Sequence, residues 1–368
     1  MTHLFIMLLD IFPLGGIARY TRHLFDALQA DPMKMRVSAL SLHDREVGRN
    51  PWTAITLATS AKTKMRSVNR LLFLASICTT MMTKRPALII CAHINLAPLA
   101  LWTQSIFGSE YIVITHGIDV WDVKKGLLYR SLQRARLVIA ASNYTKARLI
   151  ENGIDPMKIR VLQNPVDTAA FYPAPVNLAL KQRLALEHKT VLLTVGRMST
   201  RERYKGHDIM LQVMQKLDAS FVWLVVGEGD DAPRLQRHAE TLGVAEKIRF
   251  LGRIDDADLN DYYNLCDCFV MPSTAEGFGI VFLEAMACGK PVVASKTDGS
   301  IEPLMNGKLG FLVDPKNVDE IVSAISRAVT PGDTRTKPEF LRGEVTRNFG
   351  TQAFRKKLKE ILSEVTHQ

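Results

Sequence analysis

The sequence predicts an α/β protein made of two doubly wound parallel-sheet domains that face each other across a central cleft. Three observations lead there. At 368 residues the chain is about twice the usual single-domain length. Short apolar runs alternate with helix-period segments throughout, as in parallel strands joined by crossover helices. The alternation also runs through twice. The two passes meet at Asn164-Pro165-Val166-Asp167 and the proline-bearing segment Phe171-Tyr172-Pro173-Ala174-Pro175. The domains are therefore drawn at 1–167 and 168–345, followed by a closing segment at 346–368.

In the first half, the apolar runs predict strands at His3–Leu9, Arg36–Ser41, Ala87–Ala92, Tyr111–Thr115, Leu137–Ala141 and Ile159–Leu162. The second half repeats them at Thr190–Val195, Phe221–Val226, Ile248–Phe250, Cys268–Met271, Pro291–Ala294 and Gly310–Leu312. Polar or glycine-rich residues follow each strand, and then a helical period. The opening segment from Met1 to Leu9 has no basic flank and no small-residue cleavage site. It ends at Asp10 and the turn Pro13-Leu14-Gly15-Gly16, so it is expected to be a buried strand rather than an export leader. The run from Leu71 to Met82 is broken by Ser76, Cys78, Thr79 and Thr80, and it falls short of the ~20 residues needed to cross a bilayer. A basic helix, roughly Thr351 to Val365, closes the chain.

Composition narrows the class. Apolar residues make up 47% and charged residues 23%, and proline and glycine are near average. This profile excludes collagen-like, disordered and multi-span membrane chains. Five cysteines, an odd number without paired spacing, argue against a disulfide framework and for a reducing, cytoplasmic setting. Cys266 and Cys268 stand one residue apart with no second pair or histidine at metal spacing, and are expected to be plain buried thiols.

Charge is uneven. The net charge is +10, and the residues up to Asp167 hold 21 basic against 11 acidic side chains, so the whole excess lies in the first half. No acidic residue occurs between Glu46 and Glu110, a stretch that contains Arg49, Lys62, Lys64, Arg66, Arg70, Lys84 and Arg85 interleaved with Met65, Leu71, Leu72, Phe73, Leu74 and Ile77. A basic helix with one apolar face suits an anionic membrane surface. The same pattern also fits a solvated face above a core-facing stripe. No nucleic-acid motif or aromatic-interleaved groove accompanies it, so nucleic acid is not an expected partner.

The most informative chemistry lies at Glu276-Gly277-Phe278-Gly279-Ile280, between the end of a strand at Pro272 and an apolar helix beginning near Gly279. The free backbone N–H groups of Gly277 to Ile280 at that helix start can hold phosphate oxygens. Glu276 stands at the entrance of the turn. Glu284, eight residues on, can accept hydrogen bonds from a vicinal diol such as a ribose. A second cluster follows the strand Thr190–Val195: Gly196-Arg197, then Lys205-Gly206-His207-Asp208 opening the next helix. Arg197 as a fork and Lys205 as a point charge can neutralise a diphosphate without a metal. Each of these charged groups could instead be an ordinary surface cap or ion pair, but that leaves their shared placement at strand ends unexplained.

Taken together, Gly196-Arg197, Lys205-Gly206 and the Glu276/Glu284 pair resemble the donor site of retaining glycosyltransferases of family 4, which have the GT-B fold of two Rossmann-like domains. The Gly15-Gly16 loop, His116-Gly117-Ile118-Asp119, Gly227-Glu228-Gly229 and Phe250-Leu251-Gly252-Arg253 fit the same order, and the likeness runs from Met1 to about residue 330. The resemblance implies a first domain that binds the acceptor and a second that binds a nucleoside-diphosphate sugar, with the final helix packing back towards the first. It implies that Arg197 and Lys205 bind the diphosphate and Glu284 the ribose hydroxyls. Glu276 with Gly277, Phe278, Gly279 and Ile280 would contact the sugar, and the main chain at Arg253 and Ile254 the nucleobase. Gly16 would lie against phosphate or acceptor, where a Cβ would obstruct, and His116 would hydrogen-bond the sugar. The loop Met198–Tyr204, with Arg201, Glu202 and Arg203, is assigned no role.

The same resemblance implies a hexosyltransferase that needs neither metal nor cofactor, because cations and a helix terminus stabilise the departing diphosphate. No protein nucleophile is required, and domain closure would keep water from the donor. The acid-free basic stretch suggests a lipid-linked acceptor, in glycolipid, lipid-linked glycan or surface polysaccharide synthesis, with the protein peripheral at the inner face of the cytoplasmic membrane. A soluble acceptor, a sugar-nucleotide epimerase on the same fold and a non-catalytic binding protein are the alternatives. Gly227-Glu228-Gly229-Asp230-Asp231-Ala232 matches a dinucleotide fingerprint, but three acidic residues in that turn would repel a pyrophosphate.

Overall fold

The structure, a computed structural model, describes residues 3–12, 15–30, 35–45, 50–123 and 125–366. Met1, the Pro13-Leu14 part of the expected turn, and Glu46 and Arg49 of the charge pattern lie outside the described residues. The chain divides into two compact units, Met1–Pro165 with Thr351–Gln368, and Val166–Gly350.

The first unit holds strands β1 (His3–Leu8), β2 (Arg36–Ser41), β3 (Ile55–Thr59), β4 (Leu88–Cys91), β5 (Glu110–Thr115), β6 (Leu137–Ala140) and β7 (Ile159–Val161). Its helices are α1 (Gly16–Ala30), α2 (Arg66–Lys84), α3 (Ala97–Phe107), α4 (Leu127–Arg134) and α5 (Asn143–Glu151). All strands are parallel, in the order β3-β2-β1-β4-β5-β6-β7. The near-continuous apolar strand sequences follow from burial on both faces. In β1, Leu4, Ile6 and Leu8 point to one layer, and Phe5 and Met7 to the other. The first layer contains Tyr20, Leu24, Phe25 and Leu28 of α1 together with Phe354, Leu358, Ile361 and Leu362 of the C-terminal helix. The second takes Phe73, Ile77 and Met81 of α2. Strand β3 escapes the apolar-run criterion because it is an edge strand: only Ile55 of its five residues is buried.

The second unit holds β8 (Thr190–Val195), β9 (Phe221–Val226), β10 (Ile248–Gly252), β11 (Cys268–Met271), β12 (Val292–Ser295) and β13 (Phe311–Val313). Around them lie α6 (Leu178–Arg183), α7 (His207–Lys216), α8 (Ala232–Thr241), α9 (Leu259–Leu265), α10 (Ile280–Ala287), α11 (Val318–Val329) and α12 (Pro338–Phe349), and α13 (Thr351–Thr366) returns to the first unit. The sheet is again parallel, in the order β10-β9-β8-β11-β12-β13. Val191 and Leu193 face a layer with Tyr263, Phe282 and Leu341. Leu192 faces the opposite layer, with Met210, Trp223 and Ile325. The Trp223 indole N–H donates to Thr194 Oγ1 at 2.9 Å, so this largest buried side chain has its polar atom satisfied. Cys266 and Cys268 are buried free thiols, and burial pushes the Cys266 thiol up to about 12.

Candidate functional site

In an open parallel sheet, ligands bind outside the carboxyl ends of strands, at the point where strand order reverses. That point in the second unit lies between β8 and β11. Chain leaving β8 gives Gly196-Arg197 and the loop to Lys205, and chain leaving β11 gives Pro272 to Glu276. The two loops meet there. Lys205 Nζ is 3.4 Å from Glu276 Oε2 and 3.9 Å from Glu202 Oε2, and Arg197 is ion-paired with Glu202. Lys205, Glu202 and Glu276 are largely enclosed, whereas the Arg197 side chain is 75% exposed. Burial by itself pulls the Lys205 ammonium down. Glu276, Tyr204 and Glu202 outweigh that effect and hold it above its ordinary value, so the cation is permanent.

Backbone packing makes this meeting possible. Gly206 has φ +84°, and a Cβ there would lie 2.4 Å from the Pro272 carbonyl oxygen, so only glycine lets the Lys205 turn lie against the end of β11. Gly196 leaves room for the Lys205 stem, whose Cδ would be 3.2 Å from an added Cβ. The acidic residues of the dinucleotide-like turn fasten the cationic loop. Asp230 accepts from the Thr200 amide at 2.9 Å and its hydroxyl at 2.6 Å. Asp231 accepts from Arg203 at 3.0 Å and from Arg234, which also forks onto Asp208. The fingerprint match at Gly227 is thus a structural clamp on the neighbouring loop.

The Glu276 turn has its own brace. Buried Asp298 accepts from the Glu276 amide at 2.7 Å, the Ser273 hydroxyl at 2.7 Å and the Ser300 amide at 3.0 Å. The Gly277 amide donates to Glu276 Oε1 at 3.1 Å, and Gly279, with φ +87°, opens α10 ahead of Ile280. The Phe278 side chain is buried in the core, 6.0 Å from the Phe349 ring, so only its main chain is available to a ligand. Glu284 is buried on α10, and Oε2 accepts the Tyr263 hydroxyl of α9 at 2.7 Å. Arg253 is exposed just beyond β10, and Ile254 packs against the core.

In the first unit the order reverses between β1 and β4. Gly16 opens α1 there, and among the described residues nothing beyond its own chain neighbours and helix backbone lies within 4 Å of where its Cβ would be, so these residues do not demand glycine. His116 follows β5. Its Nε2 lies 2.8 Å from the Ala92 carbonyl oxygen, and its ring stands edge-on to Tyr20 at 5.2 Å. Burial, opposed by the Ala92 hydrogen bond and aided by His93, lowers its pKa to about 4, so the imidazole is neutral near pH 7. Neutral, it donates from Nε2 to Ala92 and keeps Nδ1 as an acceptor. Asp119 accepts the His116 amide at 3.1 Å, and burial pushes its carboxyl up to about 6.

Residue type and spacing gave no sign of Glu202 bridging the two cations, of Tyr263 holding Glu284, or of His93 beside His116 at 6.1 Å. Asp298 had a weak one, the polar Thr297-Asp298-Gly299-Ser300 run after β12.

The fold is GT-B: the solved Anabaena HepE in complex with UDP aligns with a TM-score of 0.81 at 22% identity, covering 99% of this chain and 100% of that one. The Glycosyltransferase Family 4 model matches residues 14–170, and the Glycosyl transferases group 1 model matches residues 178–339. The chain belongs to glycosyltransferase family 4. Among its relatives are a GDP-mannose-dependent alpha-(1-6)-phosphatidylinositol monomannoside mannosyltransferase of Mycolicibacterium smegmatis, 32% identical over 62% of this chain and 64% of the relative, and a D-inositol 3-phosphate glycosyltransferase of Acidothermus cellulolyticus, 31% identical over 56% and 48%. The matched region thus spans less than two thirds of these relatives' own length.

Proposed function

We propose that the protein is a retaining hexosyltransferase that moves a sugar from a nucleoside-diphosphate donor to a hydroxyl acceptor. The observation that carries this reading is the convergence of Arg197, Lys205 and Glu276 at the β8/β11 reversal, with Glu284 held beneath by Tyr263. In this reading the diphosphate lies against Arg197 and Lys205, and Glu284 receives the ribose hydroxyls. The Glu276–Ile280 turn faces the sugar, and the main chain at Arg253 and Ile254 the base. The first unit receives the acceptor, with Gly16 giving close approach and neutral His116 offering Nδ1 to a sugar hydroxyl.

The bond from the anomeric carbon to the diphosphate breaks as negative charge grows on the leaving oxygen, where the two cations are worth most. The acceptor hydroxyl attacks the same face and passes its proton to the departing phosphate. No protein nucleophile and no metal take part, so excess EDTA should leave turnover unchanged. The reading is tested by incubating the protein with GDP-mannose, UDP-glucose and other sugar nucleotides alongside candidate lipid and soluble acceptors. It expects acceptor-dependent release of one nucleoside diphosphate with retained anomeric configuration. Failure to bind any sugar nucleotide, or release of an inverted product, would refute it.

The acceptor we propose is lipid-linked, reached from an anionic membrane surface. No helix among the described residues is long and apolar enough to cross a membrane. On α2 and the loop before it, the exposed basic side chains Lys62, Lys64, Arg66 and Arg70 accompany exposed Met65 and Leu71, while Phe73, Ile77 and Met81 face the core. This is a peripheral, salt-sensitive attachment. Sedimentation onto vesicles with anionic lipid should be lost at high salt and in the triple variant Lys62→Glu, Lys64→Glu, Arg66→Glu. Binding indifferent to lipid charge would leave the soluble-acceptor reading.

A further inference from the structure

The two cations assigned to the donor already have an occupant. Glu202 reaches inward from the 3-10 turn at Thr200–Lys205, its own backbone departing from helical values at φ −119° and ψ 28°. One carboxylate oxygen pairs with Arg197. The other, Oε2, lies 3.9 Å from Lys205 Nζ and is buried without a hydrogen-bond partner among the described residues. Glu276 flanks Lys205 on its other side at 3.4 Å. Two positive groups are thus matched by two carboxylates. A dianionic ligand cannot share Arg197 and Lys205 with a carboxylate set between them, because like charges this close in a part-enclosed site repel.

We propose that Glu202 is a displaceable internal counter-ion: it occupies the diphosphate seat between Arg197 and Lys205, leaves when donor arrives, and returns as the nucleoside diphosphate departs. The inference rests on the donor-site reading above. The loop around Glu202 is held at Thr200 by Asp230 and at Arg203 by Asp231. The exchange is therefore a rotation of one side chain, with the main chain staying in place. Exposed Arg197 is free to turn with the incoming phosphates, while enclosed Lys205 keeps its position. Glu202 thereby lowers the affinity for diphosphate and hastens product release. It touches neither reacting atom and acts by positioning the cations.

The test is calorimetric titration of the full-length protein with GDP, UDP, inorganic pyrophosphate and the uncharged nucleosides, on wild type, Glu202→Gln, Glu202→Asp and Lys205→Ala. Glu202→Gln keeps the shape and removes the charge. It should bind the preferred nucleoside diphosphate about two- to fivefold tighter, the worth of one ion pair with an exposed partner, through slower dissociation, with nucleoside binding unmoved. Glu202→Asp, one methylene short of spanning both cations, should fall between. Saturated turnover of Glu202→Gln should drop as product release slows. Unchanged or weaker diphosphate binding in Glu202→Gln overturns the proposal, and so does an equal change for the bare nucleoside, which would mark a structural role. If Lys205→Ala loses diphosphate while Glu202→Gln matches wild type, only the counter-ion role falls. If Lys205→Ala binds as wild type does, the site reading falls and takes this proposal with it.

Discussion

Tyr263→Phe isolates one hydroxyl on which the candidate site depends. Tyr263 and Glu284 are both buried, and the hydroxyl donates to Glu284 Oε2 at 2.7 Å. The aromatic ring has separate work, standing 5.6 Å from Phe171 and 5.9 Å from Phe269 within the core, and phenylalanine preserves it. The variant therefore removes the hydrogen bond from Tyr263 to Glu284 and preserves the ring. Such a bond between enclosed groups contributes about 1.5–3 kcal/mol, because the carboxylate oxygen left behind cannot recover its solvation. In a domain of this size 1 kcal/mol moves the midpoint by about 2–4 °C, so calorimetry should show a loss of about 3–12 °C. With Glu284 less firmly oriented, the proposed donor site expects the KM for donor to rise while kcat changes little, since a ribose contact there would be made in ground and transition states alike. A melting point within 1 °C of wild type, or a fall in kcat with KM unchanged, would refute the reasoning.

Lys205→Ala should cut turnover by about 100- to 1000-fold, the range for losing one charge-stabilising group at a developing anion, with Lys205→Arg recovering part; near-normal turnover with an intact circular dichroism spectrum would sink the assignment. Buried His207, whose Nε2 has no hydrogen-bond partner among the described residues, has its pKa lowered to about 4, chiefly by burial and then by Lys205. Unfolded chain takes up a proton on it below about 6.5 that the folded chain refuses until about 4, so stability is full above 6.5 and falls as pH drops through that window. Thermal melts from pH 7 to 4.5 should therefore show a shallower acid loss for His207→Phe than for wild type, and parallel curves would count against this.

Much of the architecture is written in local pattern. Arg36–Ser41, Thr190–Val195, Phe221–Val226 and Cys268–Met271 are strands with the bounds their sequence runs predict, because a strand covered on both faces is apolar along most of its length. Arg197, Lys205, Glu276 and Glu284 were legible as charged groups at strand ends and at a glycine-rich helix start, where backbone geometry leaves few reasons for them. Other features depend on partners far along the chain. Ile55–Thr59 becomes a strand by pairing with β2, which supplies hydrogen bonds that its own half-exposed sequence does not announce. Asp298 finds the Glu276 turn across 22 residues, Tyr263 finds Glu284 across 21, and Asp230 finds Thr200 across 30. Spacing along the chain cannot show whether a carboxylate faces a cation, a hydroxyl or water. The sequence by itself determined two α/β halves and the identity of the charged groups, because periodicity and residue type are local. Only the tertiary structure decided that Glu276 lies against Lys205, 71 residues away, because hydrogen bonds and ion pairs act over a few ångströms of space and are blind to distance along the chain.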